Sequence, residues 1–396
     1  MNPITKKLAI HGGKPAKATP YGTGNRFGQA EEEAAVAAIR SQRLWCLGGS
    51  RVTEVEQRLG TMYGVAHVVA CSSGTAAIHA ALAACGVQSG DEVITTPLSD
   101  WGSVIGILAL GAVPVFCDLD ESTFSLDPAF VSAAITSRTR AIVLVHLAGY
   151  PARVRDIAAM ASTKGIALIE DCAQSPYAFL DGQPLGTFGV AGAFSTNDSK
   201  HVSCGEGGFL VTHDALLAKT ARRFVDKGYD REKSDIDVAF LGYNYRMSEL
   251  QAAVLNAQLS SLPDQVKQRQ RYHDWLMAGL EGVAGYVPVR VLPGGQGSFW
   301  TILGRLDLDQ FATDRKTIAD ALQAEGIPVK TALAPGRILY ALSIFRSDRR
   351  YPAGLCSMAE RIADAAFVLP CSPFFTETDA EETAHGVRKV LRHFHR

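Results

Sequence analysis

The chain has 396 residues, enough for about two or three domains, and its composition is 47% hydrophobic and 20% charged. With 39 Lys plus Arg against 40 Asp plus Glu, the net charge is −1, so no overall field draws it to nucleic acid or to an anionic membrane surface. Residues 59–90 carry no charged side chain, but His67, Ser72, Ser73, Gly74, Thr75 and His79 interrupt them, so no membrane span is expected. The opening MNPITKKLAIHGGKP lacks the apolar core of a secretory signal. The 8 cysteines are scattered without a C-x-x-C pair. They are expected as buried, reduced thiols of a cytoplasmic protein, with no metal site.

Short apolar runs alternate with helical stretches. Strands are predicted at 66–70, 92–96, 113–117, 140–147, 165–170, 190–195 and 208–212. Helices are predicted at 75–85, 102–110 and about 154–163 between them. Near-continuous apolar strands suit burial on both faces, which implies an α/β domain with a mostly parallel sheet between helices. From about 214 to 282 the chain reads as mainly helical. Ser248 and Gln251 fit a capping box opening a helix through 259. Pro263 marks either a kink or the start of a helix that runs to about 280. VLPGGQG at 291–297 reads as a loop, and strand and helix signals resume at 299–306, 313–324, 357–366 and 378–394. The expected division is a large domain over 1–255 and a smaller α+β domain over 256–396. The first 25 residues are assigned to the large domain, packed against it or a partner.

Four local features stand in a fixed order. CSSGTAA (71–77) lies between a strand and a helix, where free backbone N–H groups make an anion site or an ordinary turn. IEDCAQ (169–174) puts Asp171 at the end of an apolar strand, either as a helix cap or as a carboxylate that keeps a ring nitrogen protonated. FSTNDSKHVSCGEGGF (194–209) puts Lys200 between a buried strand and a glycine cluster, where a lysine with a lowered pKa acts as an imine-forming nucleophile and proton carrier. GYNYRMSELQAA (242–253) is a loop running into a capped helix. Together they answer the needs of pyridoxal 5′-phosphate (PLP): a lysine, an acid for the ring nitrogen, a phosphate cradle and a ring-stacking group. The chain lacks both G-x-G-x-x-G after its first strand and G-x-x-x-x-G-K, which argues against a nucleotide-binding Rossmann protein.

With SSGTAAIHAAL, GDEVITTP and GAVPVFCDLD, these blocks resemble the DegT/DnrJ/EryC1/StrS family of PLP-dependent sugar and cyclitol aminotransferases, over nearly the whole chain. KLAIHGGKP is similar to the subgroup that contains cyclitol aminotransferases and aminohydroxybenzoate synthases. The resemblance implies the fold-type I architecture, with a seven-stranded, mostly parallel sheet in the large domain. It implies that Lys200 is the imine-forming lysine, Asp171 the acid under the ring nitrogen and Gln174 the contact to the ring hydroxyl. Gly74, Thr75 and Ser195 match phosphate ligands, and Trp101 matches the aromatic that stacks on the ring. Asn244 matches a residue reaching the phosphate of the neighbouring subunit, so a homodimer with shared sites is implied. The implied reaction moves an amino group from glutamate or glutamine, through pyridoxamine 5′-phosphate, to a small-molecule keto-sugar or keto-cyclitol in aminosugar or antibiotic biosynthesis.

Lys200 also separates the chain from relatives that carry His there and dehydrate sugars. Departures from the family pattern at 224–229, at Arg153 and in TALAPGRILYALSIF (331–345) predict an unusual acceptor pocket. Its candidate residues are Lys227, Tyr229, Arg246 and Arg337, with His201 a lesser one. The alternatives are a PLP lyase or aromatising enzyme similar to aminohydroxybenzoate synthase, and a non-catalytic PLP-binding regulator.

Overall fold

In a computed structural model of the chain, residues 7–232, 237–332 and 338–396 are described. Two helices, α1 (Gln29–Arg40) and α2 (Arg51–Tyr63), precede the first strand, β1 (His67–Cys71). Then follow α3 (Gly74–Ala84), β2 (Glu92–Thr95), α4 (Gly102–Ala109), β3 (Val113–Phe116), α5 (Pro128–Ala134), β4 (Thr139–Val145), α6 (Val154–Lys164) and β5 (Ala167–Asp171). A hairpin of β6 (Phe179–Leu180) and β7 (Gln183–Pro184) separates them from β8 (Ala191–Ser195) and β9 (Gly208–Thr212).

Seven of these strands form one sheet in the order β1-β9-β8-β5-β4-β2-β3. β9 alone runs against its two neighbours, and the pairings from β8 to β3 are parallel. The sheet is mostly parallel, as the sequence predicts. Its strands are apolar on both faces because helices cover both: Ile142 and Leu144 of β4 belong to one buried cluster, Ala141 and Val143 to another.

The next stretch is less helical than its composition suggests. After α7 (Ala215–Val225) the chain forms β10 (Tyr229–Asp230) and β11 (Asp237–Val238), then runs to α8 (Glu249–Leu259). The Ser248–Gln251 capping box opens α8 as expected. Pro263 stands in the first turn of α9 (Leu262–Leu280), where its missing N–H costs nothing. A three-stranded antiparallel sheet of β12 (Tyr286–Pro288), β14 (Ile302–Leu306) and β15 (Ala366–Leu369) follows, flanked by α10 (Arg315–Ala324), α11 (Ser357–Ala365) and α12 (Glu377–Phe394). The loop predicted at 291–297 contains β13 (Gly295–Gln296), which pairs with β6.

The N-terminal segment meets both parts of the chain: Arg26 donates to the carbonyls of Asp198 and Lys200, and the residues before it lie on the C-terminal helices. Glu325, which is fully buried, accepts from the backbone N–H of Ala9 (2.8 Å) and of Ala16 (2.7 Å). Lys17, 4% exposed, donates to Asp379 (2.7 Å) and Glu382 (2.9 Å) of α12. These buried charges fix the segment there because each needs its opposite partner. Among the described residues no helix is long and apolar enough to cross a membrane.

Candidate active site

β1, β5 and β8 end on the same side of the sheet, the side where open α/β sheets bind ligands. Beyond β1, Ser73 accepts a hydrogen bond from the Ala76 N–H (3.1 Å) and caps α3. The amides of Gly74 and Thr75 fall in the unpaired first turn, which favours an anion. The approach here is close. A Cβ on Gly74 would stand 2.8 Å from that of Ser195, at the end of β8. One on Gly208 would stand 2.4 Å from the Ser73 carbonyl carbon. Only glycines let the lysine segment and the α3 turn meet.

A cavity of about 300 Å³ opens at this point. Gly74, Thr75, Asp171, Gln174, Ser195 and Lys200 all line it. Asp171 is 4% exposed. Its carboxylate accepts from the Ser103 hydroxyl (2.6 Å) and the Ala173 N–H (3.0 Å). Burial pushes its pKa up, and Ser103, Ala173 and Lys200 oppose that in part. A cationic ring nitrogen beside it would oppose it further. The Gln174 carbonyl oxygen accepts from the Ala148 N–H (2.7 Å). A backbone N–H only donates, so that contact fixes the amide orientation and leaves the NH₂ free to donate.

Lys200 is half-buried. Its backbone N–H donates to the Asn197 carbonyl (2.9 Å), which tightens the turn that carries it. Its Nζ lies 4.1 Å from the centroid of the Trp300 ring. Burial lowers its pKa, and the carboxylates of Asp171 and Asp100 partly offset the effect. A lowered pKa puts more of the amine in its nucleophilic form. An anion-favouring helix end, a buried acid, an amide donor and an amine therefore share one cavity. The donor set fits pyridoxal phosphate.

Other predicted residues are placed elsewhere. Trp101 stands between Asp100 and Gly102, which both line the cavity. It opens α4 in helical conformation, and its ring packs edge-on against Phe345 (5.9 Å, 72°). His201 is 1% exposed, with Nε2 2.9 Å from the Ser298 carbonyl oxygen. Burial and the Arg269 guanidinium hold its pKa well below the usual range. It is a core residue and has no surface to offer a substrate. Lys227 is exposed, its amine 4.7 Å over the Tyr229 ring. Arg246 is ion-paired to Asp226, which also binds Arg231. Tyr229 and Arg246 line a second, larger cavity of about 960 Å³ between α2, β1 and α7, away from Lys200. Lys227, Tyr229 and Arg246 therefore do not join Lys200 within one chain. Asn244 is exposed, bridged to Asp226, and outside its own chain's cavity. Arg337 lies outside the described residues.

The cavity also contains residues that sequence reasoning passed over: Asp100, Asn197, Glu206 and Trp300. Asp100 sits immediately after PLS, beside the aromatic that drew attention instead. Trp300 lies in an apolar run that reads as core. Nearby, His146, Glu170 and Cys172 bring potential ligand atoms within 4.8 Å of one another. Glu170 is occupied there by four donors: the N–H groups of Gly186 (2.7 Å), Phe188 (2.7 Å) and Gly189 (2.8 Å), and His146 Nε2 (3.0 Å). His146 Nδ1 accepts from the Ala152 N–H (3.0 Å). Glu170, backed by His146, is a latch that holds the loop after β7.

A model of the DegT/DnrJ/EryC1/StrS aminotransferase family matches residues 27–388. The chain is 34% identical to the L-glutamine:2-deoxy-scyllo-inosose aminotransferase of Streptomyces kanamyceticus, over 98% of each chain. Among solved structures it resembles an aminotransferase from Psychrobacter cryohalolentis, with a TM-score of 0.89, 25% identity and coverage of 95% of this chain and 100% of that one. It also resembles 3-amino-5-hydroxybenzoic acid synthase, with a TM-score of 0.86, 27% identity and coverage of 94% and 99%.

Proposed function

The chain belongs to the DegT/DnrJ/EryC1/StrS aminotransferase family, and from that premise we propose that it moves the amino group of L-glutamine or L-glutamate to a keto-cyclitol or keto-sugar. The reading is supported by the shared cavity of Lys200, Asp171, Gln174 and the α3 turn, and by the glutamine-dependent cyclitol aminotransferase that resembles this chain over 98% of its length.

Thr75, Ser195 and the first-turn amides of α3 would hold the cofactor phosphate. Asp171 would hold a proton on the ring nitrogen, and the Gln174 NH₂ would donate to the ring hydroxyl. When bound, pyridoxal phosphate supplies an aldehyde that takes up the amino group and a pyridinium that draws electrons from the adjacent C–H bond. Lys200 Nζ removes the proton from the donor's α-carbon and returns a proton when the acceptor is aminated. The partly buried site limits the water that competes for that proton.

Asn244 is assigned to the partner's site. Phe27, Ile39, Trp45, Leu47, Val238 and Leu241 are 42–80% exposed, and that apolar surface suits cover by a second copy. The protein is read as a cytoplasmic homodimer.

The test is the absorption spectrum of the purified holoenzyme before and after L-glutamine. A shift from the lysine-bound band to the pyridoxamine band supports transamination. A chromophore that ignores every amino donor would turn the assignment to elimination. Lys200→Ala is expected to lower turnover by about 10³-fold or more.

A further inference from the structure

We propose that Trp300 is a positioning residue for Lys200: its indole face holds the protonated lysine amine inside the cavity whenever that amine is not bonded to the cofactor. The proposal rests on Lys200 being the lysine of the reaction.

The geometry is that of a cation over a π face. Nζ stands 4.1 Å from the ring centroid, inside the ~6 Å range of that attraction. Among the described residues Lys200 Nζ makes no ion pair within 4.0 Å, so the indole is its nearest directional partner. A close carboxylate would hold the amine protonated and unreactive. A π face holds it more weakly and lets it go.

The indole is itself fixed. Its Nε1–H donates to the carbonyl of Ser199, the residue before the lysine (2.7 Å). Its backbone N–H donates to the Ala148 carbonyl (2.8 Å). Arg269, 8% exposed, donates to the carbonyls of Phe299 (3.2 Å) and Cys371 (2.8 Å) behind it. The ring is therefore pegged to the turn that carries the amine, and the two keep register. Without such a hold a released lysine on four methylenes explores many rotamers, and a proton carrier that strays loses rate.

The charged groups around the amine come from several elements. Asp171 ends β5, and Asp100 precedes α4. Glu206 lines the cavity from the loop before β9. Arg26 of the N-terminal segment donates to the carbonyls of Asp198 and Lys200. Arg269 stands behind Trp300, and His201 follows in sequence. Asp171 and Asp100 draw the amine toward the cavity floor and rim, and the indole opposes that pull.

The experiment uses the enzyme loaded with pyridoxamine 5′-phosphate, in which the lysine amine is free. Acetic anhydride labels only unprotonated amines, and peptide mass spectrometry reads labelling at Lys200 against pH. Trp300→Leu keeps the site apolar and removes the π face. It is expected to move the Lys200 titration down by about 0.5–1.5 pH units, with Trp300→Phe between it and the native protein. If Trp300→Leu does not fold, Trp300→Met takes its place with the same expectation. Coincident titrations in all proteins, or an upward shift without the ring, would overturn the proposal. Borohydride reduction of the aldehyde-loaded holoenzyme tests the underlying reading separately. A cofactor adduct on any residue but Lys200 would sink that reading, whatever the titration shows.

Discussion

Asp171 and Glu170 are neighbours on β5 and face opposite ways, because strand side chains alternate. One looks into the cavity, and the other is sealed among four donors. Their substitutions should therefore separate. Asp171→Asn is expected to fold and to lose about 10²-fold or more in kcat, since the charge facing the ring nitrogen is gone. Glu170→Gln is expected to lose about 1–3 kcal/mol of stability, because an NH₂ then faces N–H donors. Steady-state kinetics and thermal melts distinguish the two. A third expectation concerns His79, 2% exposed behind the α3 turn, with burial lowering its pKa to about 4. Between its unfolded value near 6.5 and 4, the unfolded chain binds a proton that the folded chain refuses. Stability therefore falls as pH drops through that window, by up to about 3 kcal/mol. His79→Leu should flatten that part of a pH–stability curve measured with denaturant. Lys200 and Asp171 are legible in sequence because an amine or acid next to a buried strand demands a reason. The packing of Trp101 is not, since its edge-on partner Phe345 lies far along the chain.

The elements that sequence reading missed are those whose signals are remote. α2 is an example. Its own cap residue, Ser50, accepts from no backbone N–H of the helix, and its hydroxyl donates to the Glu54 side chain (2.6 Å). Glu249 of α8, fully buried, caps the helix instead, accepting from the N–H groups of Arg51 (2.9 Å) and Val52 (3.1 Å). Nothing near residue 50 announces a partner 198 positions away. The contact also explains Gly49, where a Cβ would lie 2.0 Å from Glu249 Oε2. Gly49→Ala and Glu249→Ala should each cost about 1–3 kcal/mol in chemical denaturation. If they report on one contact, the double variant should cost less than their sum. By contrast α8 carries its own Ser248–Gln251 box and is visible from twelve residues of sequence. The 226–241 stretch misleads because its composition suits a helix, while the described part forms β10–β11; the loop read at 242–247 precedes α8 as expected.

At the scale of the whole molecule the sheet and its helices follow from the alternation of apolar runs, and the reversed β9 does not, since strand direction leaves no mark on composition. The dimer reading makes a quantitative prediction. Lys200→Ala and Asn244→Ala chains, each impaired alone, should regain about a quarter of native activity when co-expressed, because random pairing restores one site in half of the dimers. Recovery near zero would place Asn244 outside the partner's site. The N-terminal segment adds a matter of timing. Lys17 leaves the ribosome 362 residues before Asp379, so at 5–20 residues per second a cation destined for burial waits roughly 20–70 s for its counter-ion. Ala9 and Ala16 meet their partner once Glu325 has been made, but the charged end of the strap at Lys17 closes only after the last helix has been made. A nascent chain truncated before α12 should therefore leave the strap open to protease, and the finished chain should shield it.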